Sequence, residues 1–190
     1  MKTKNIMIVG VGGQGSLLAS KLLGHLLMEQ GHDVKVSEVH GMSQRGGSVV
    51  TYVRYGDKVA SPVIDQGEAD AIVSFELLEA ARWLAWLKPG GRVVVNTQQI
   101  APMPVVTGAA QYPEKLVEKM TAAGAKVDPV DCLTLAQQAG NAKAVNLVLL
   151  GRLSHYFDFA ESAWQEAIEA CVPAKFLDVN KRAFALGQQA

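Results

Sequence analysis

The chain reads as an α/β fold: a mostly parallel sheet, flanking helices and a helical C-terminal region. Three observations point there. Short, nearly unbroken apolar runs at residues 5–10, 70–75 and 92–96 have the character of strands buried on both faces. Segments with apolar residues at helical spacing alternate with them. From about Asp131 onward the strand signal stops and helical spacing takes over.

Residues 5–10 are the first strand, and Gly10-Val11-Gly12-Gly13-Gln14-Gly15 follows at once. Residues 16–30 then place Leu17, Leu18, Leu22, Leu26 and Leu27 at helical spacing, and Gly31 stops the helix. Residues 34–39 form the second strand, completing a β-turn-α-β unit for which a right-handed crossover is expected. Residues 48–55 alternate and are rich in β-branched and aromatic side chains, a third strand. Gly56-Asp57-Lys58 is a turn, and residues 59–64 are expected to return as a short strand cut by Pro62. The strand at 70–75 leads into a helix over 76–87, ended by Pro89-Gly90-Gly91, and then into the core strand 92–96. Residues 101–112 are Pro-rich and irregular, with an edge strand expected at Val105-Val106. A helix over 114–123 and a last strand over 126–130 precede helices at about 133–139, 143–156, 161–170 and 174–187. No linker separates the two parts, so residues 1–190 are expected to be a single domain whose helical end covers one sheet face.

Composition removes several function classes. The 190 residues are 49% hydrophobic, enough for a core, and 18 basic residues balance 18 acidic ones. That neutrality gives no electrostatic footprint for nucleic acid or an anionic membrane. No apolar run approaches the roughly 18 residues that span a bilayer, and the N-terminus lacks the small-residue cleavage site of a signal peptide, so a cytoplasmic location is expected. Cys132 and Cys171 have no CxxC spacing, and His25, His32, His40 and His155 no metal-ligand spacing, so no metal site is expected from this chain.

Two stretches carry candidate chemistry. Gly10-x-Gly12-x-x-Gly15, between a strand and a helix, satisfies a dinucleotide fingerprint in spacing and context, and makes the fold Rossmann-like. Gly10 would make the tight turn, Gly12 admit close approach, and Gly15 bring helix to strand. Gly13 and Gln14 complete the turn. Glu38 stands where a ribose-binding carboxylate is expected. The alternative is that these glycines serve only tight packing or the approach of a partner chain. The second stretch, residues 37–48, sets Glu38, His40, Ser43, Gln44 and Arg45 among Gly41, Gly46 and Gly47. Arg45 suits a carboxylate or phosphate, which a guanidinium binds bidentately, or else a structural ion pair with Glu38. Ser43 and Gln44 would add hydrogen bonds, and His40 is either a near-neutral titrating group or a structural donor. Glu76 is a further site candidate or an ordinary first-turn acid, and Asn96 a candidate at the end of its strand. Trp83, Trp86 and Leu87 are read as core rather than partner surface.

Both stretches together resemble the gamma-type domain of the 2-oxoacid:ferredoxin (or flavodoxin) oxidoreductases, most closely the small, beta subunit of indolepyruvate ferredoxin oxidoreductase. Met42-Ser43-Gln44-Arg45-Gly46-Gly47 is the most specific part. Asp70-Ala71-Ile72-Val73-Ser74-Phe75-Glu76, Val94-Val95-Asn96-Thr97, Asn146-Leu147-Val148-Leu149-Leu150-Gly151 and Lys175-Phe176-Leu177-Asp178-Val179-Asn180 extend the match over essentially the whole chain. The resemblance implies a large catalytic partner subunit that holds thiamine diphosphate and iron–sulfur clusters, with ferredoxin as electron acceptor through the complex and coenzyme A as co-substrate. It implies oxidative decarboxylation of a 2-oxoacid to an acyl-CoA, no cofactor bound by this chain alone, and a loop 38–48 presented to the partner's active site or to coenzyme A. The glycine turn would hold a coenzyme A phosphate or contact the partner. Indolepyruvate is the expected substrate. A pyruvate or 2-oxoglutarate enzyme, a free-standing NAD- or flavin-binding oxidoreductase, and a non-enzymatic scaffold are the alternatives. Self-association of the isolated chain is also open.

Overall fold

The structure, a computed structural model, describes residues 2–41 and 46–190. Its sheet has six strands: β1 (Lys4–Val11), β2 (Asp33–His40), β3 (Ser48–Gly56), β4 (Ala69–Ser74), β5 (Leu87–Asn96) and β6 (Lys126–Val130). They lie in the order β2-β3-β1-β4-β5-β6. β1, β4, β5 and β6 pair in parallel, whereas β3 is antiparallel to both β1 and β2, so only β3 runs against the other five. The helices are α1 (Ser16–Glu29), α2 (Leu77–Arg82), α3 (Met103–Val106), α4 (Leu116–Ala122), α5 (Cys132–Ala139), α6 (Val145–Ser154), α7 (Glu161–Cys171) and α8 (Leu177–Gln189). The expected α/β class, mostly parallel sheet and helical C-terminal region are all present.

Alternation along the inner strands builds two cores. Ile6, Ile8, Val73 and Val94 face α1 and the C-terminal helices, with Trp164 and Phe184 among the buried side chains there. Met7, Val9, Ile72, Val93 and Val95 face the other way, onto α2 and α4. Burial on both faces is why these strands read as continuous apolar runs. α6 and α8 cross at backbone contact: a Cβ on Gly151 would fall 2.1 Å from the Phe184 carbonyl oxygen, and one on Gly187 2.0 Å from that of Val148.

Several local expectations are corrected. β2 does not pair with β1; it forms a hairpin with β3, and β3 lies between them. Residues 59–64 form no strand, because the Arg54 guanidinium takes the carbonyls of Ser61 and Val63 at 2.9 and 2.8 Å. The helix expected over 76–87 is shorter: α2 ends at Arg82, a 3-10 turn covers Leu84–Trp86, and Leu87 already belongs to β5. Pro89-Gly90-Gly91 does not terminate a helix but lies inside β5, where the register with β4 shifts and Gly90 has φ +70°. Trp83 and Trp86 meet edge to face at 4.8 Å, half-buried against the second core, and Leu87 is buried in it. Val105-Val106 belongs to α3, not to an edge strand.

Candidate functional site

Five strands end at one edge of the sheet and β3 begins there. The glycine turn, the end of β2 and the start of β3, Phe75-Glu76 and residues 97–112 therefore gather along it. This carboxyl edge is where open α/β sheets bind ligands.

The glycine turn is shaped by contact as much as by conformation. A Cβ on Gly10 would stand 2.8 Å from the Phe75 Cβ, so the chain passes too close for any side chain. Gly13 and Gly15 have φ of +102° and +92°, the left-handed region that glycine enters without strain. Gln14 folds back over the turn: its Oε1 accepts from the Val11 N–H at 2.8 Å, and its Nε2 donates to the Phe75 carbonyl at 3.0 Å. It is a tether between β1 and β4. The Gly12 N–H donates to the Gly47 carbonyl at 2.8 Å, and the Gly46 N–H to the Gly12 carbonyl at 3.3 Å. Gly46 and Gly47 thus extend the β1–β3 ladder into the turn.

Between turn and hairpin lies an open cleft of about 430 Å³. Gly12, Gly13, Gly15, Ser16 and Leu17 form one wall; Glu38, His40 and Val49 form the other. α1 starts at this wall with no side-chain cap and no acidic residue in its first turn, so the positive end of its dipole is uncompensated. Glu38 accepts from the Thr51 hydroxyl at 3.2 Å, and the His40 Nδ1 lies 3.2 Å from the Gly41 carbonyl oxygen. Both side chains are exposed. The cleft can bind a group through backbone dipoles, but it is not a closed, water-free chamber for chemistry. Ser43, Gln44 and Arg45 lie outside the described residues.

This arrangement departs from a dinucleotide site. There the second strand of the unit lies beside the first and carries the ribose-binding carboxylate. Here β3 takes that place, and Glu38 sits on the edge strand beyond it. The backbone of Gly12, which should be open to a pyrophosphate, is joined to Gly46 and Gly47.

Glu76 and Asn96 prove to be structural junctions. Glu76 is 1% exposed. It caps α2 by accepting from the Glu79 N–H at 2.8 Å, and it also accepts from the Ile100 N–H at 3.0 Å and the Tyr112 hydroxyl at 2.5 Å. Burial, then the Glu76 carboxylate, pushes the Tyr112 hydroxyl well above the ordinary tyrosine range. Asn96 donates to the Phe75 carbonyl at 3.0 Å and accepts from the Cys132 N–H at 3.2 Å. Sequence reasoning missed Glu79, whose carboxylate accepts from the Ser48 hydroxyl at 2.5 Å and so ties α2 to the end of the hairpin loop. It also missed Tyr112 and Gln98, which no periodicity marks. Among the described residues no group of three or more His, Cys, Asp or Glu side chains could hold a metal ion. Burial, and secondarily Asp131, pushes the Cys132 thiol far above its usual range.

Comparison with known proteins gives a consistent picture. The indolepyruvate oxidoreductase subunit IorB of Thermococcus kodakarensis is 46% identical over 197 residues, covering 100% of this chain and 96% of its own. Its counterpart from Pyrococcus horikoshii is 45% identical with the same coverage. The common gamma subunit of pyruvate/ketoisovalerate oxidoreductases from Thermococcus litoralis is 29% identical, over 76% of this chain and 73% of its own. Among solved structures, a pyruvate oxidoreductase subunit of Thermotoga maritima superposes with a TM-score of 0.76 at 24% identity, covering 100% of this chain and 97% of its own. The 2-oxoglutarate:ferredoxin oxidoreductase of Magnetococcus marinus superposes with a TM-score of 0.74 at 20% identity, this fold making up 31% of that chain. The sequence itself matches the pyruvate ferredoxin/flavodoxin oxidoreductase family over residues 5–190. By that match, and by its identity to the IorB subunits along its whole length, this chain belongs to the pyruvate ferredoxin/flavodoxin oxidoreductase family, as a small subunit of a 2-oxoacid:ferredoxin oxidoreductase.

Proposed function

We propose that this chain, as one gamma-type domain over residues 1–190, completes an indolepyruvate:ferredoxin oxidoreductase that converts an aryl-2-oxoacid to its acyl-CoA. One observation carries the substrate choice: relatives named for indolepyruvate are 46% and 45% identical over the full chain, against 29% for one named for pyruvate and ketoisovalerate. Thiamine diphosphate and the iron–sulfur clusters belong to the large subunit in this reading. What this chain contributes is the carboxyl-edge cleft. The uncapped start of α1 and the glycine turn suit a phosphate or carboxylate of coenzyme A or substrate. Glu38, His40, Ser43, Gln44, Arg45, Gly46 and Gly47 are the residues assigned to binding it, with Arg45 as the anion-binding residue.

The test is coenzyme-A-dependent reduction of a low-potential acceptor by the chain mixed with its large subunit, on indolepyruvate, pyruvate and 2-oxoglutarate. Activity only in the mixture, and highest on indolepyruvate, is the expected result. Arg45→Ala should lower that activity by about tenfold or more while the two subunits still co-elute, because a charge-assisted bidentate contact is lost. Full activity from the large subunit alone would refute the proposal.

A further inference from the structure

Residues 97–112, between β5 and α4, contain no Asp, Glu, Lys or Arg in a protein that is 19% charged. None of them is buried. Met103 and Val106, both on α3, are 69% and 65% exposed. Exposed segments ordinarily carry charge, whereas an uncharged apolar surface that includes Met has the make-up of an interface core. Nor is the segment loosely held. The single carboxylate of Glu76 accepts from Ile100 near one end and from Tyr112 at the other. Inside the segment, Thr107 N–H donates to Met103 and Ala110 N–H to Pro104, at 2.9 and 3.0 Å. A fully buried acid is thus committed to holding apolar side chains out in water.

We propose that residues 97–112 form the docking face for the large catalytic subunit, with Met103 and Val106 as its anchors. The inference rests on the subunit reading above. Two observations select this occupant. In the Magnetococcus marinus enzyme the same fold is 31% of one longer chain, so there it comes covalently joined to further protein. The Gln98 Oε1 also accepts from the Gln14 Nε2 at 3.4 Å, which sets the segment beside the glycine turn. A partner seated on Met103 and Val106 therefore lies along the same edge as the cleft. Its matching face is apolar and weakly charged.

The test uses the full chain carrying Met103→Glu together with Val106→Glu, and binding to the immobilised large subunit. Met28→Glu is the control: Met28 is 55% exposed, near the end of α1 remote from the glycine turn. The double variant should bind roughly 100-fold more weakly, the scale of losing interface hot spots, and Met28→Glu within about threefold of wild type. Both should unfold at the wild-type urea midpoint. Unchanged binding by the double variant overturns the proposal. So does dissociation of a homodimer of the isolated chain with affinity for the large subunit intact, since the face then joins two copies. If the wild-type chain itself does not bind the large subunit, the subunit reading falls as well, which separates the two failures.

Discussion

At the scale of single residues, the carboxyl edge is held by side chains whose polar atoms are engaged. Tyr112 both donates to Glu76 and accepts from the Leu78 N–H at 3.0 Å. Tyr112→Phe leaves that amide without its acceptor and removes one of the bonds to a carboxylate that is 1% exposed. A loss of about 1–3 kcal/mol is expected in urea unfolding, since an unsatisfied buried group costs more than a typical hydrogen bond contributes. An unchanged midpoint would show that water replaces the hydroxyl. Gly15→Ala combines a φ of +92° with a Cβ 2.9 Å from the Asn146 Nδ2. It should cost about 1–2 kcal/mol from the left-handed backbone alone, and melting of the purified variant checks this.

At the scale of elements, the α6–α8 crossing is the most exacting contact in the fold. Neither Gly151 nor Gly187 can gain a methyl group unless the two helices separate, because the atoms they would meet are backbone carbonyls rather than movable side chains. Gly151→Ala or Gly187→Ala should destabilise by about 3 kcal/mol, at the upper end of overpacking costs. Because the two sites share one crossing, the double variant should be less than additive. Single variants within about 0.5 kcal/mol of wild type, the usual size of a neutral surface change, would mean that the helices slide apart freely. The β2–β3 hairpin matters at the same scale. Its pairing continues past Ser48 into Gly47 and Gly46, so the hairpin and the glycine turn form one continuous piece of sheet.

At the scale of the whole molecule, an ion-pair network joins the far sheet edge to the helical cover. Arg152 on α6 contacts Asp128 on β6 through Nε and Nη2 at 2.8 and 3.0 Å, and the Tyr156 hydroxyl donates to the same carboxylate at 2.5 Å. The Arg92 guanidinium lies 3.8 Å above the Tyr156 ring. Burial alone would raise the Asp128 pKa, but the hydrogen bonds from Arg152 and then Tyr156 outweigh it and hold the carboxyl below its ordinary value of 3.8. The folded value lies below the unfolded one. The network's contribution is therefore complete above about pH 4 and lost as the pH falls through the folded pKa. Asp128→Asn should cost roughly 1.5–3 kcal/mol at pH 7, the scale of hydrogen bonds to a charged group, and the gap from wild type should begin to narrow below about pH 4. A gap that does not shrink at all between pH 5 and pH 3 would assign the cost to packing.

The sequence by itself determined the class of fold, the positions of β1, β2, β3, β4 and β6 and the second half of β5, the glycine turn and the run of helices after Asp131. Each of these is a local signal: an apolar run buried on both faces, a glycine required by a positive φ, a helical period. It also determined the family, through the motifs at residues 10–15 and 42–47. Only the tertiary structure decided which strands are neighbours, because periodicity reports that a face is buried and not what buries it. That is why β3 between β1 and β2 was not legible, and why residues 59–64, whose carbonyls are taken by Arg54, were misread as a strand. It also decided which candidate side chains face the cleft. Glu38 and His40 line it, while Gln14, Glu76 and Asn96 are drawn into hydrogen bonds by residues 61, 24 and 36 positions away in the chain. A side chain's partners across such separations are set by the packing of whole elements, which no short window of sequence contains.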